Sequence, residues 1–348
     1  MRRVTTGRFD FTRGRCLNER MLPLLPMQPR FLEKLWGGTR ISALPARRGA
    51  MREGTAYGES WEVADLPEGT CSVGDGPLKG RTLASLSKEH GAALLGRFHV
   101  EGRFPLLVKL VDAAAALSVQ VHPDAAYAST HPGTWSKDEA WLVVHAEPGA
   151  RLLHGAKEGV DAASFRAAVA ENRADQLLRS VEVTAGDVVH VPPGTLHAIG
   201  EGILILEVQE PSDTTFRVYD YGRLENGKPR ALHVEQAMDV SNFGAQPPVK
   251  QERRVLSSGG GVVREVLVTS RAFEMQSVRM ERGARADFAL PEGAPAVVFA
   301  LDGAMRAEGA ASAVDMVRGD SLVVPASADA FTLTASGPST AIVMTPTR

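Results

Sequence analysis

Apolar and polar side chains alternate in short runs along much of this chain, and Gly or Pro separates the runs. Residues 104–122 (FPLLVKLVDAAAALSVQVH) read as two strands around a short Asp-Ala turn. Residues 139–145 (EAWLVVH) and 150–154 (ARLLH) read as two more, parted by Glu147-Pro148-Gly149, and 181–192 and 203–209 continue the pattern. Strands this short, joined by such turns, predict a β-barrel or sandwich of jelly-roll type. Two stretches instead carry helical spacing. These are 82–95, with Thr82 as N-cap, and 161–179, opened by Asp161 and closed by basic Arg179.

An internal echo extends this picture to two units. Gly186-Asp187-Val188-Val189-His190-Val191-Pro192 is matched by Gly319-Asp320-Ser321-Leu322-Val323-Val324-Pro325. Each is a Gly-Asp turn, a strand and a proline. The same offset applied to His197 lands on Ala330, so the second copy keeps the strand grammar and loses the histidine. The expected fold class is mainly β, two jelly-roll barrels with a small helical insertion. The expected boundaries are a disordered leader at 1–26, a first domain at 27–240, a Pro/Gly/Ser-rich linker at 241–262 and a second domain at 263–348. Met21 and Met27 are both candidate starts, because residues 1–20 are polar and arginine-rich and have no apolar segment of signal-peptide type.

Composition narrows the function classes. A formal net charge of -2 gives no basic surface for nucleic acid. No apolar run approaches the ~18 residues of a membrane helix. Cys16 and Cys71 lie far apart without metal-type spacing, which fits a reducing, cytoplasmic location.

The chemistry starts at Ser118-Val119-Gln120-Val121-His122-Pro123. Side chains alternate across a strand, so Val119 and Val121 take one face and Ser118, Gln120 and His122 the other. A hydroxyl, an amide and an imidazole in one row need a polar cavity, a metal or solvent opposite them. Glu139 opens the strand that reads Trp-Leu-Val-Val, and His197 follows the rigid Pro192-Pro193-Gly194 turn. Taken singly, each is a common strand end or core residue. Together, Gln120, His122, Glu139 and His197 offer nitrogen and oxygen ligands that suit one Zn²⁺ per chain, and also Mn²⁺, Fe²⁺ or Co²⁺. Ligands from separate strands suit a barrel mouth.

The chain also resembles the type I mannose-6-phosphate isomerases (phosphomannose isomerases), in their short bacterial form, of the cupin superfamily. The resemblance rests on Leu35-Trp36-Gly37-Gly38, Tyr57-Gly58-Glu59-Ser60-Trp61-Glu62, Phe104-Pro105-Leu106-Leu107-Val108-Lys109 and LSVQVHPD from Leu117. It continues through Lys137, Glu139 and Trp141, PPGTLHAIG from Pro192, and SDTTFRVYDYGR from Ser212. It covers roughly 28–235. The resemblance implies that Gln120, His122, Glu139 and His197 take the metal positions. It places Lys137, Asp213 and Arg217 around the sugar phosphate and the reacting carbons. Ser118, on the polar strand face, and Trp36, as a pocket wall, are further candidate substrate contacts. Asp138 is a departure, since the family commonly has Thr between the Lys and the Glu.

The implied reaction interconverts mannose 6-phosphate and fructose 6-phosphate through an enediol, whose developing charge needs stabilisation. Lys137 is the candidate proton carrier, Arg217 the candidate phosphate or oxyanion partner, and Asp213 either orients Arg217 or handles a hydroxyl proton. Glu207 and Gln209 are expected behind the ligands, and His145, His154 and His190 are read as structural or rim residues. Trp61 is a further candidate wall of the sugar pocket. Competing readings are another metal-dependent sugar-processing cupin and a non-catalytic sugar-sensing cupin. A small sugar phosphate is the expected partner, and a monomer or homodimer the expected assembly.

Overall fold

The computed structural model describes residues 21–52, 55–225, 227–291 and 293–347. Four main antiparallel sheets of five, six, eight and four strands account for most of it. They stack in that order. The five- and six-stranded sheets enclose one apolar cluster, which includes Val111, Trp141, Leu152, Val189, Ile199 and Ile205. The eight- and four-stranded sheets enclose another, with Val298, Phe288, Met305 and Leu333. The six- and eight-stranded sheets also pack back to back, with Leu142, Leu204 and Leu206 of one in the same core as Met275, Phe299 and Ile342 of the other.

This layering explains the pattern of the chain. Leu107–Ala113 and Ile203–Gln209 lie in the sandwiched six-stranded sheet and are buried at every position. They therefore read as near-continuous apolar runs, without the alternation of a half-exposed strand. Outer strands such as Arg285–Ala289 alternate cleanly between exposed and buried residues.

The internal echo is a structural repeat. Gly186 and Gly319 both adopt positive φ, at 94° and 98°. In both turns the following Asp accepts a backbone N–H three residues upstream at 2.8 Å: Asp187 from Thr184 and Asp320 from Val317. Only a residue tolerant of positive φ can precede such a turn, which is why Gly recurs there.

Several boundaries differ from expectation. The expected leader at 1–26 lies mostly outside the described residues, but Leu22, Leu24 and Leu25 are buried. The strand Leu25–Gln28 pairs with Ser321–Val324 of the second unit through Leu25↔Val323 and Pro26↔Leu322, and with Ser72–Val73 of the first. The 241–262 stretch ends in an edge strand, Arg254–Gly259, which pairs with Val262–Thr269. Its composition suggested a linker because an exposed edge strand needs few apolar residues. The helix expected over 161–179 spans only Ala162–Ala170. Asn172, with φ 54°, breaks it, and a short 3₁₀ turn leads into the strand Leu178–Glu182. The Asp161 cap is real, since its carboxylate accepts the Ser164 N–H in a capping box. Thr82 caps Leu83–His90 by accepting the Ser85 N–H on its hydroxyl. Among the described residues no helix is long and apolar enough to cross a membrane.

A buried ion pair ties the units together. Arg47 Nη2 lies 2.6 and 2.7 Å from the two oxygens of Glu62, and Ser60 donates to the same carboxylate at 2.5 Å. Ser321 of the second unit donates to it at 2.6 Å. Cys71 sits nearby as a buried thiol, pushed up to about 12 by burial and then by Glu62, so it is inert rather than nucleophilic.

Candidate metal centre

The polar face read from the sequence points between the five- and six-stranded sheets. Val119 and Val121 are fully buried on the other face, in the apolar cluster that includes Phe165 and Leu196. The strand Val119–Val121 runs between His197–Ile199 and Phe216–Tyr219. The register places His197 opposite Gln120, and Gln120 opposite Arg217. One row across the sheet thus carries an imidazole, an amide and a guanidinium. The facing sheet supplies Glu139, at the start of the strand Glu139–Ala146.

His122, Glu139 and His197 converge, with one ligand atom from each lying within 4.8 Å of the others. All three are buried. Glu139 Oε2 is 3.6 Å from His122 Nε2, and Glu139 Oε1 is 3.3 Å from His197 Nε2. Burial, and then the charge of Lys137, holds His122 well below the usual imidazole value. Burial pulls His197 down to about 4. Both rings are therefore neutral at pH 7, and each carries one hydrogen. His122 Nδ1 faces the Thr214 carbonyl at 2.8 Å and His197 Nδ1 faces the Thr195 carbonyl at 2.8 Å. A carbonyl only accepts, so Nδ1 carries the hydrogen in each ring and the Nε2 lone pair faces the cluster. Both Glu139 oxygens are buried and accept no hydrogen bond, although Lys137 Nζ stands 2.6 Å from Oε2 as an ion pair. Two imidazole Nε2 atoms and a carboxylate converging on one buried point match the donor set a divalent cation requires. Gln120 Nε2 donates to His197 Nε2 at 3.2 Å, which brings the amide to the same cluster.

The remaining predicted residues divide. Lys137 is buried, and its Nζ also lies 3.2 Å from His122 Nε2. Arg217 Nε donates to Ser118 Oγ at 3.2 Å and its Nη1 to the Ala231 carbonyl at 3.1 Å. Among the described residues no ion pair joins Asp213 to Arg217, so the expected orienting role is not seen. Asp213 is exposed, and its field instead raises the Lys109 proton affinity. Trp36 is buried in the apolar cluster with Val111, Ala113 and Ile203. Trp61 and Trp141 are the indoles beside the charged groups: Trp61 Nε1 donates to Glu59 at 2.8 Å and Trp141 Nε1 to Glu207 at 3.1 Å. Asp138 points away from the cluster and bonds His190 Nε2 at 2.8 Å, so the extra charge beside Glu139 has a partner. His154 donates to the His190 carbonyl at 2.8 Å, as befits a structural residue.

Sequence reasoning missed a charged chain next to the cluster. Lys109, Glu207 and Trp61 share a row, because Lys109 pairs with both Glu207 and Trp61. Lys109 Nζ lies 3.5 Å from Glu207 and 4.0 Å from Glu59. Burial alone would lower the Lys109 ammonium, but Glu207 and Glu59 outweigh it and the group is raised, hence charged. Burial, then the charge of Glu139, pushes Glu207 up. The available signal was Lys109 inside the apolar run Leu106–Val111. A second missed group is Arg223 and Arg230 around Arg217. Burial, then the like charge of Arg230, lowers Arg217. Asp220 pairs with both Arg223 and Arg230.

The model of the phosphomannose isomerase type I catalytic domain matches residues 24–147. A mannose-6-phosphate isomerase of Streptococcus mutans is 42% identical over 219 residues, 63% of this chain and 67% of the relative. The solved mannose 6-phosphate isomerase of Bacillus subtilis superposes with a TM-score of 0.81 at 30% identity, covering 92% of this chain and 99% of that one. The chain belongs to the type I phosphomannose isomerase family. It is an enzyme of the isomerase class. A zinc-bound mannose 6-phosphate isomerase, at 14% identity and a TM-score of 0.71, covers 93% of this chain and 99% of its own, and shows the shared fold.

Proposed function

We propose that the chain interconverts mannose 6-phosphate and fructose 6-phosphate through an enediol, with one divalent cation, zinc foremost, held by Gln120, His122, Glu139 and His197. The observation that carries this reading is the convergence of His122, Glu139 and His197, with ligand atoms within 4.8 Å of one another and both Nδ1 atoms committed to backbone carbonyls. The nitrogen and oxygen donor set suits Zn²⁺ and admits Mn²⁺, Fe²⁺ or Co²⁺. A bound cation would orient the substrate's oxygens and act as a Lewis acid.

The chain's own residues account for the rest. Lys137 Nζ is the group placed beside the ligands to carry a proton between neighbouring carbons. Lys109 stays charged and offers a fixed positive field where negative charge develops. Asp213, exposed on its loop, handles a hydroxyl proton. Arg217, with Ser118 beside it and Arg223 and Arg230 nearby, binds the phosphate, because an arriving dianion relieves the repulsion within that arginine group.

The test is a coupled assay for mannose 6-phosphate consumption, alongside elemental analysis. Exhaustive chelation is expected to abolish turnover, and about one equivalent of Zn²⁺ to restore it. Full activity in metal-free protein would sink the reading. Arg217→Lys is expected to raise KM for mannose 6-phosphate roughly tenfold, since a lysine cannot serve Ser118 and two phosphate oxygens at once. An unchanged KM would remove Arg217 from the phosphate site.

A further inference from the structure

The segment that delivers Lys137 and Glu139 is gripped from the second unit. Strands Val262–Thr269 and Phe273–Met280 are joined by a turn at 270–272, and Arg271 on that turn reaches across. Its Nη2 donates to Ser136 Oγ at 3.0 Å and lies 4.0 Å from Glu210 Oε2. Ser136 passes its own hydroxyl hydrogen to the same Glu210 oxygen at 2.7 Å. The Asp138 N–H donates to that oxygen as well, at 3.0 Å. The Glu210 N–H in turn donates to the Asp138 carbonyl at 3.0 Å. Glu210 therefore holds the Asp138 backbone through both its N–H and its C=O, next to the ladder position where Gln209 faces Glu139. The turn is itself anchored, because Ser270 Oγ accepts the N–H groups of Ala272 and Phe273 and Thr347 Oγ1 donates to the Arg271 carbonyl.

We infer that Arg271 is a positioning residue for the isomerase site, acting through Ser136 and Glu210 to fix the backbone between Lys137 and Glu139. This rests on the proposed reading of the cluster. A carboxylate that serves several donors is held in one rotamer, and the Arg271 charge 4.0 Å away, bonded to the Ser136 hydroxyl that donates to it, adds to that restraint. Removing the guanidinium frees Ser136 and lets the Glu210 head turn. Asp138 then loses one of its two restraints. The Lys137 ammonium and the Glu139 carboxylate, on either side of it, drift from their mutual 2.6 Å geometry. Arg271 is half-exposed, and such a contact contributes little to global stability, so the effect belongs to the site rather than to the melting temperature.

The test uses the full chain. Partners behind metal ligands typically cost ~10–100-fold when lost, and Arg271 stands one step further out. Arg271→Ala is expected to lower kcat about fivefold to tenfold with KM for mannose 6-phosphate nearly unchanged. Zn²⁺ affinity, measured by competition with a chromophoric chelator, is expected to weaken by a similar factor. Arg271→Lys is expected to recover most of the lost kcat. In a double-mutant cycle, Ser136→Ala is expected to add little once Arg271 is gone, because both act through one carboxylate. Wild-type kcat and Zn²⁺ affinity in Arg271→Ala would overturn the inference, as would fully additive effects with Ser136→Ala. Turnover of mannose 6-phosphate by the unaltered protein tests the underlying reading separately.

Discussion

His197→Ala is expected to leave a folded protein without stoichiometric metal and with kcat/KM for mannose 6-phosphate reduced by roughly 10³-fold. The side chain is fully buried, its Nδ1 is committed to the Thr195 carbonyl, and its Nε2 faces Glu139 at 3.3 Å. Alanine removes the lone pair and leaves Glu139 with one fewer partner for a cation. A Lewis acid supplies several kcal/mol to a developing oxyanion, and about 4 kcal/mol corresponds to roughly 10³-fold in rate. His122→Ala is expected to match it, since His122 Nε2 lies 3.6 Å from the same carboxylate. Elemental analysis and the coupled assay read the outcome, and circular dichroism checks the fold, because emptying a buried site costs some stability. Wild-type metal content with near-normal turnover in both variants would defeat the ligand assignment.

The largest expected effect on stability lies elsewhere. Glu62→Ala is expected to destabilise the protein by about 3–5 kcal/mol. Arg47 is almost fully buried, and its Nε has no hydrogen-bond partner among the described residues. Its Nη2 depends on Glu62 at 2.6 and 2.7 Å. Removing the carboxylate strands a guanidinium in apolar surroundings and frees the hydroxyls of Ser60 and Ser321. The double replacement Arg47→Met with Glu62→Leu removes both charges, and is expected to recover much of that loss. Urea titrations of the single and double variants measure the difference. A single variant within about 1 kcal/mol of the parent would show that the pair contributes little.

Much of the fold was legible along the chain because its signals are local. The Asp161 and Thr82 caps, the Gly186-Asp187 and Gly319-Asp320 turns, and the strand Ile203–Gln209 are each specified within a few residues. The overextended helix at 161–179 shows the limit of that reading, because alanine-rich spacing continued past Asn172 while its positive φ did not allow a helix. The leader's end was misjudged for a different reason. Leu22, Leu24 and Leu25 form a short, proline-broken apolar run, and their burial depends on partners far along the chain, Ser321–Val324 among them.

The site divides in the same way. The alternation of Ser118, Gln120 and His122 follows from strand geometry alone, Glu139 and His197 joined them as nitrogen and oxygen donors at a strand start and after a rigid turn, and the likeness to the isomerase family added Lys137, Asp213 and Arg217. Lys109 went unremarked as a charged group because its partners, Glu59 and Glu207, come from two other strands.

By itself, the order of residues determined the element types, the polar strand face, the turn chemistry and the identity of the candidate ligands. Tertiary structure alone decided that His122, Glu139 and His197 share one space, that the six-stranded sheet is covered on both sides, and that Arg271 of the second unit reaches Ser136. The physical reason is range. Backbone preferences and side-chain periodicity act over a few residues, whereas strand register and sheet stacking are set by contacts between segments far apart along the chain.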